Sequence, residues 1–192
     1  GELDFAVNVD NLNVVSRDEA VKELTAIEKL KDYLKWRKKE FIEKYDEVRH
    51  DTENDECSIM EAQLESGNTL IAVINTDLLQ WDGKASHPWI LSIEIPYDGS
   101  ANNGMPNEDT YKLLDEVQNN ISKELKDYEG FLNIGRQTAK NVREIYFACK
   151  EFRKPSKVLH KIQSYYAGQL EISYDIYKDK YWESFSRFIP DP

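Results

Sequence analysis

Two alternating stretches, WILSIEI at residues 89–95 and LEISYDI at residues 170–176, decide the fold of this chain. In both, apolar residues occupy every second position, and polar or charged residues fill most positions between them. Successive side chains of a strand point to opposite faces, so each stretch predicts a half-buried strand. The apolar positions are Trp89, Leu91, Ile93 and Ile95 in the first stretch and Leu170, Ile172, Tyr174 and Ile176 in the second.

Four further elements are predicted between these strands. Helical spacing of apolar residues covers 106–130 and 155–168, and each of these segments begins at a proline and ends at a glycine. Alternation predicts strands over 132–138 and 142–149. The order β-α-β-β-α-β predicts an α+β domain with a ferredoxin-like core, in which two helices cover one side of a four-stranded layer.

A hairpin is predicted ahead of this core. Residues 59–64 and 69–75 form strand-like runs, and Ser66-Gly67-Asn68 between them is a turn signal. The run LIAVI at 70–74 is apolar on both sides. This pattern is typical of a strand that is covered on both faces, so the hairpin is expected to extend the sheet.

A long helix is predicted over residues 16–48. Ser16-Arg17-Asp18-Glu19 fits the capping box that opens a helix, and no Gly or Pro follows before Val48. We expect this helix to pack on the domain through one apolar stripe. An intermolecular coiled coil is the alternative, although Lys31 and Lys38 interrupt its seam. The stripe comprises Ala20, Leu24, Ile27, Leu34, Phe41, Tyr45 and Val48.

The remaining N-terminal segments complete the predicted organisation. Residues 1–15 suggest a short strand or an extended arm, and the polar run RHDTENDE at 49–56 suggests a linker. We therefore expect an arm with a long helix over residues 1–50 and an α+β domain over residues 51–192.

Composition restricts the class of partner. The 192 residues are 40% hydrophobic and 32% charged, with a formal net charge of −11 and a pI of about 4.8. Such an acidic chain repels phosphate backbones, so nucleic acid is not an expected partner. No apolar run is long enough to span a membrane, which favours a cytoplasmic location. The first residue is Gly1 rather than Met, so export followed by removal of a signal peptide is the alternative to a cytoplasmic location.

Neither a metal nor a cofactor is expected. Cys57 and Cys149 form no CxxC unit, and His50, His87 and His160 complete no zinc set. We expect two free thiols, while a disulfide would need the two strands to be neighbours. The acidic run at 49–56 lacks the glycine and the spacing of a calcium-binding loop.

Arg136 is the first candidate for a binding residue. If the strand alternates regularly, Arg136 shares the apolar face of Ile134 and needs a partner there. A cross-strand ion pair with Glu144 or Glu94 is one interpretation. The other is an anion-binding arginine beside Tyr146, because the forked donors of arginine match a carboxylate or phosphate.

His87 and the tryptophans are further candidates. His87 stands before Pro88 at a strand start, a plausible position for an acid or base, but a surface or hydrogen-bonded histidine is the favoured interpretation. Trp89, with Trp81 and Trp182, either lines a ligand groove or fills the space between sheet and helices.

Several short motifs occur in a fixed order along the second part of the chain. They are His87-Pro88-Trp89-Ile90-Leu91, Gly104-Met105-Pro106, Gly135-Arg136 with Thr138, Arg143-Glu144-Ile145-Tyr146-Phe147, and Asp179 with Trp182, Phe185, Phe188, Ile189 and Pro190. Through them, residues from about 52 to 190 resemble the DUF695 family, a bacterial domain of unknown function. The resemblance implies a fold but no activity. Members are sometimes fused to a domain similar to the bacterial regulator of ribonuclease activity B, which suggests a regulatory role by association.

Three functions follow as expectations. The favoured one is a non-enzymatic protein-binding or regulatory module, because the chain is rich in aromatic residues and carries no catalytic motif. The alternative is a hydrolase-like enzyme whose site combines Arg136, Glu144, Tyr146 and His87. The third is a structural oligomer, such as a homodimer, assembled through the helix at 16–48.

Overall fold

A computed structural model describes residues 16–19 and 26–189 of the chain. It divides into two compact units, with the boundary between Val48 and Arg49. The strand or arm predicted in residues 1–15, and the helical positions Ala20 and Leu24, lie outside the described residues.

Among its described residues, the first unit contains the α-helix α1 at Ile27–Tyr45. Ala26 precedes it with extended backbone (φ −61°, ψ 137°), so the predicted uninterrupted helix from Ser16 to Val48 is wrong. The capping contact at Ser16 exists, because the Glu19 carboxylate accepts its backbone N–H at 3.0 Å and its hydroxyl at 2.8 Å. In the described residues, this contact closes a 3-10 turn at Arg17–Glu19. Two β-branched residues next to Ala26, Thr25 and Ile27, lower the helix propensity where the break occurs.

The second unit is built on one six-stranded antiparallel sheet. In sheet order the strands are β1-β2-β4-β5-β3-β6. The mixed α+β class is therefore confirmed, and the two stretches that decide the fold lie side by side as β3 and β6. The strands are β1 at Cys57–Gln63, β2 at Thr69–Asn75, β3 at Trp89–Pro96, β4 at Phe131–Ala139, β5 at Val142–Cys149 and β6 at Ser173–Lys178.

Both faces of the sheet are covered. One face, called here the helix face, packs against α3 (Glu108–Glu124) and α4 (Arg153–Tyr165). The opposite face, called the tail face, packs against α2 (Thr76–Gln80) and a C-terminal 3-10 segment at Glu183–Phe188. The aromatic tail forms a short 3-10 segment, and its Phe185 and Phe188 are buried. Two separate apolar cores result, one on each face.

A bulge in β4 sets which residues reach the helix face. Asn133 pairs with Phe147 and Gly135 pairs with Tyr146, so Ile134 and Gly135 together oppose a single residue of β5. Gly135 has φ +142°, and a Cβ on it would lie 2.3 Å from the Val73 carbonyl oxygen. Only glycine fits this backbone position without strain.

The bulge reverses the alternation of the strand. Ile134 packs in the core of the tail face, whereas Arg136 contacts α3 on the helix face. The expectation that Arg136 shares the face of Ile134 is therefore wrong, because regular alternation does not hold across the extra residue.

The two cysteines are free and distant in the sheet. Cys57 is exposed on β1 and Cys149 is buried on β5. Strands β2 and β4 lie between β1 and β5, so no disulfide joins them. Among the helices described, none is both long and apolar enough to cross a bilayer.

Candidate functional site

A buried arginine marks the candidate site. Arg143 lies on β5 in phase with Ile145 and Phe147, so its side chain enters the helix face, where the residue is fully buried. Its Nη1 donates to Oδ1 of Asp115 on α3 at 2.9 Å. Burial lowers the pKa of the Arg143 guanidinium, and the hydrogen bond that it donates to Asp115 opposes that effect. A buried charge needs such a partner, so Asp115 stabilises the charged form.

Arg136 reaches the same carboxylate from the neighbouring strand. Its Nη1 lies 3.4 Å from Asp115 Oδ1 and donates to Gln118 Oε1 at 3.0 Å. Its Nη2 donates to the Tyr111 hydroxyl at 3.0 Å. These three partners come from α3, and the Arg136 side chain keeps 22% of its surface exposed. Arg136 is thus the solvent-facing member of the pair, and Arg143 is the buried one.

The site carries more positive than negative charge. Arg136 and Arg143 share one carboxylate, which leaves a formal excess of one positive charge. Both guanidinium groups lie over the Tyr111 ring, with their central carbons 5.9 Å and 5.0 Å from its centroid. The face of an aromatic ring attracts cations and partly compensates this excess. Nε of Arg143 is buried and has no hydrogen-bond partner among the described residues.

A shallow concavity of about 720 Å³ opens beside this pair. It follows one face of α3 and is lined by Tyr111, Asp115 and Glu116, among others, whereas Arg136 and Arg143 are not part of its lining. Tyr111 is 41% exposed, so its ring forms part of a surface that a partner can reach. Next to this opening, the partly exposed guanidinium of Arg136 and the Tyr111 hydroxyl are donors that suit an anionic group.

Two predicted site residues lie on the other side of the sheet. Glu144 pairs with Gln137 on the tail face, where their side chains hydrogen-bond. The Tyr146 hydroxyl accepts a hydrogen bond from Arg187 at 3.3 Å. Burial raises the pKa of Tyr146, and the nearby Glu144 carboxylate raises it further. Arg136 therefore pairs with Asp115 of α3 rather than with Glu144 or Glu94 on the strands.

His87 lies in a separate buried environment. The Ser86 hydroxyl donates to the Gly83 carbonyl at 2.6 Å, so His87 Nδ1–H donates to the Ser86 oxygen at 2.7 Å. Nε2 then carries a lone pair, and it has no partner among the described residues. Burial, with the positive charges of Lys150 and Arg49, lowers the pKa of His87 to about 3. His87 is consequently neutral at physiological pH.

The tryptophans serve packing. Trp81 stands between His50 and His87, with ring centroids 5.1 Å and 5.4 Å away, and Trp182 donates its indole N–H to the His87 carbonyl at 2.9 Å. Trp89 is half-buried on the helix face and packs against Phe152 at 4.9 Å. Trp81 and Trp182 belong to the opposite core, so the three tryptophans do not form one groove.

Distance also separates the predicted residues. The row of the sheet that contains Arg136 continues through Ile145 to Ile93. His87 precedes Ile93 by six residues, which corresponds to about 20 Å along the strand direction. Within the described residues, no group of three or more His, Cys, Asp or Glu is placed to hold a metal ion.

Sequence reasoning missed most partners of Arg136. Arg143 shares the alternation of Ile145 and Phe147, and a charge in an apolar row signals a buried pair. Tyr111, Asp115 and Gln118 recur at helical spacing on α3, but nothing in the sequence shows which strand they meet. Gly135 before Arg136 was the available signal for the bulge.

Fold and site together define a small α+β domain with a polar, arginine-centred site on the helix-covered face of an antiparallel sheet. The model of the DUF695 family, described as a family of unknown function, matches residues 58–189. The chain belongs to this family. The comparison of this chain with curated proteins found no match, and neither did the comparison with solved structures.

Proposed function

We propose that the domain is a non-enzymatic protein-binding module that takes a carboxylate group of its partner at the Arg136–Arg143 pair. One observation carries this proposal: two guanidinium groups share the single carboxylate of Asp115 beside an open concavity. A site with one excess positive charge is completed by one negative charge from a ligand. A regulatory role agrees with binding that involves no reaction.

Arg136 supplies the contact with the ligand. Its 3.4 Å contact with Asp115 is longer than the 2.9 Å hydrogen bond that Arg143 makes with the same oxygen. An incoming carboxylate replaces the weaker of these two contacts and leaves Asp115 with Arg143. The forked donors of Arg136 and the Tyr111 hydroxyl then face the ligand.

A carboxylate suits the site better than a phosphate does. A carboxylate has a single negative charge, which equals the formal excess at the site. A phosphate dianion would leave one negative charge unbalanced beside Asp115 and Glu116. The net charge of −11 adds a general repulsion of polyanions, which supports a protein partner over nucleic acid.

The hydrolase-like alternative has less support. It requires Arg136, Glu144, Tyr146 and His87 in one site, yet their side chains lie on two faces and His87 is about 20 Å away along the strands. The bare Nε2 of His87 is a potential base, but no nucleophile or acid among the described residues bonds to it.

We also propose that residues 89–178 form a ferredoxin-like core. The strand order β4-β5-β3-β6 supports it. The helix α3 connects β3 to β4 and α4 connects β5 to β6, and in each case one other strand lies between the two connected strands. In this arrangement α3 lies over β4 and β5, where its residues meet both arginines.

Sodium acetate is the simplest probe of this site. Two-dimensional NMR of the full chain should show saturable shifts of the Arg136 side chain and of backbone amides near Tyr111 as acetate is added. Sodium chloride at equal ionic strength is expected to leave these signals in place. Arg136→Gln keeps hydrogen-bond donors but removes the charge, so the acetate response should be lost.

Arg187 provides the matched control. It is an arginine that contacts a tyrosine hydroxyl, but on the tail face. Arg187→Gln should retain the full acetate response. An equal response in Arg136→Gln and in the unmodified chain would refute the proposal, as would shifts centred on Arg187.

A further inference from the structure

No strand among the described residues covers the outer edge of β1. In the part of the chain that the structure describes, β1 pairs with β2 alone. The strand has seven residues without proline, and Glu61 is its only charged residue. Natural sheets usually protect such an edge with charges, prolines or a covering element, so an unprotected edge marks a pairing surface.

The alternation of hydrogen bonds shows which backbone groups face outward. Thr76 N–H donates to the Glu56 carbonyl at 3.0 Å, and Leu64 N–H donates to the Asn68 carbonyl at 2.9 Å. The backbone N–H and C=O groups of the even-numbered residues between Glu56 and Leu64 thus form hydrogen bonds with β2. The backbone groups of Cys57, Ile59, Glu61 and Gln63 point to the open edge.

An exposed apolar side chain lies at the middle of this edge. Ile59 is 77% exposed, the highest value among the large hydrophobic residues that the structure describes as exposed. It stands directly opposite Val73 of β2, which is itself only half-buried. The row from Val73 to Ile59 is apolar and ends in solvent.

We propose that β1 pairs antiparallel with β1 of a second copy of this chain, with Ile59 opposite its own counterpart. A two-fold axis perpendicular to the sheet generates this pairing and makes one continuous sheet of twelve strands. Each Ile59 then covers the other, and the apolar row runs from one Val73 to the other. The outward backbone groups of both edges are satisfied by the same contact.

Other registers of the same pairing are less favourable. If the two-fold axis passes through Glu61, the two Glu61 carboxylates face each other and repel. Centring it on Cys57 places Ile59 opposite Asp55, whose carboxylate is already bonded to His50 and Asn75. Centring it on Met60 places Ile59 opposite Glu61. Centring it on Ser58 places Ile59 opposite the smaller Cys57. Of these registers, the one centred on Ile59 is the one that places two large apolar side chains opposite each other.

Charge sets the conditions for this dimer. Each copy carries a formal net charge of −11, so the two repel each other at long range. Added salt screens this repulsion but hardly affects the backbone hydrogen bonds and the apolar contact. Dimerisation should therefore strengthen as the NaCl concentration rises.

Sedimentation of the full chain over a range of protein and NaCl concentrations tests the proposal. A concentration-dependent dimer should form, and Ile59→Lys should weaken it about tenfold or more, because two lysines would then face each other. Tyr165→Lys is the matched control, since Tyr165 is similarly exposed at 71% but lies on α4. A monomer under all conditions would overturn the proposal, and so would a dimer that Ile59→Lys leaves unchanged.

A cysteine placed at the axis tests the register. In a Cys57→Ser background, Ile59→Cys should form an intermolecular disulfide on mild oxidation, because the two residues face each other. Gln63→Cys in the same background is the control, because it faces the same edge but lies far from its counterpart. Equal cross-linking of the two variants, or cross-linking of Gln63→Cys alone, would contradict the register.

Discussion

The Nη1 atom of Arg143 donates to Oδ1 of Asp115 at 2.9 Å, while the Arg143 side chain is 1% exposed and that of Asp115 is 33% exposed. A strand thus buries a full positive charge and depends on one helix residue to neutralise it. Since removal of one member of such a pair leaves an uncompensated charge, this contact joins α3 to the sheet and defines the site.

Asp115→Asn should destabilise the fold by about 3 kcal/mol, the lower end for a broken buried pair, since Asp115 is partly exposed. Urea unfolding measures this loss. Adding Arg143→Met should recover most of the stability, because it removes the buried charge. Glu108→Gln is the control, since it breaks an exposed pair with Lys112 on the same helix and should cost less than about 1 kcal/mol. A double variant less stable than Asp115→Asn would contradict this account.

Gly135→Ala should cost at least about 2 kcal/mol, because the new Cβ collides with the backbone of β2 and the residue keeps a positive φ. Gly67→Ala separates these two causes. Gly67 also has positive φ (+82°), but a Cβ added there would meet no heavy atom within 4 Å, so only the backbone cost of about 1 kcal/mol applies. Equal losses in the two variants would show that the close approach at the bulge is unimportant.

His87 should make the protein acid-sensitive. Its pKa in the fold is about 3, against an ordinary value of 6.5, so between these values the unfolded chain binds a proton that the native state does not. Stability then rises with pH through this window and falls as pH drops below 6.5, by at most about 5 kcal/mol at pH 3.

Urea unfolding across this pH range measures the effect. His87→Gln should flatten the dependence, whereas His160→Gln, at an exposed position on α4, should keep it. NMR of the unmodified chain adds a direct check, because the His87 ring should stay neutral well below its ordinary pKa. A His87 ring that titrates near 6.5 would contradict the buried, neutral state.

The two thiols should differ in reactivity. Cys149 is fully buried, and burial raises the pKa of its thiol, so a thiol reagent should not modify it in the native protein. Cys57 is exposed and should react, although slowly, because partial burial and then Asp55 and Asp77 raise its pKa. Cys57→Ser should abolish the native reaction with the reagent DTNB, and a denaturant should restore it through Cys149. Native reaction of Cys57→Ser would show that β5 opens.

The sequence was sufficient for the strands and the two long helices of the sheet domain, but α2 was missed and the site was not predicted. The strands at 89–96 and 142–149 follow from alternation, and the helix at 108–124 follows from its cap and apolar stripe, with Asn107 accepting the Thr110 N–H at 2.9 Å. These are local patterns, so they are readable without the fold.

The site depends on contacts that local patterns do not contain. One extra residue at Gly135 turns Arg136 to the other face, and alternation alone predicts the opposite. Asp115 is one of several acidic residues on its helix, and only the packing of α3 on β4 and β5 selects it. The break at Ala26 was missed because no Gly or Pro marks it.

The most direct test of the carboxylate site is calorimetry with two forms of one short peptide, one with a free C-terminal carboxylate and one with a C-terminal amide, at matched ionic strength. The unmodified chain should bind the free-carboxylate form about tenfold or more tightly, because a charge-assisted hydrogen bond contributes the binding free energy of such a difference. Arg136→Gln should bind both forms alike. Equal affinity of the unmodified chain for both peptides, or a preference that persists in Arg136→Gln, would contradict the role assigned to the arginine pair.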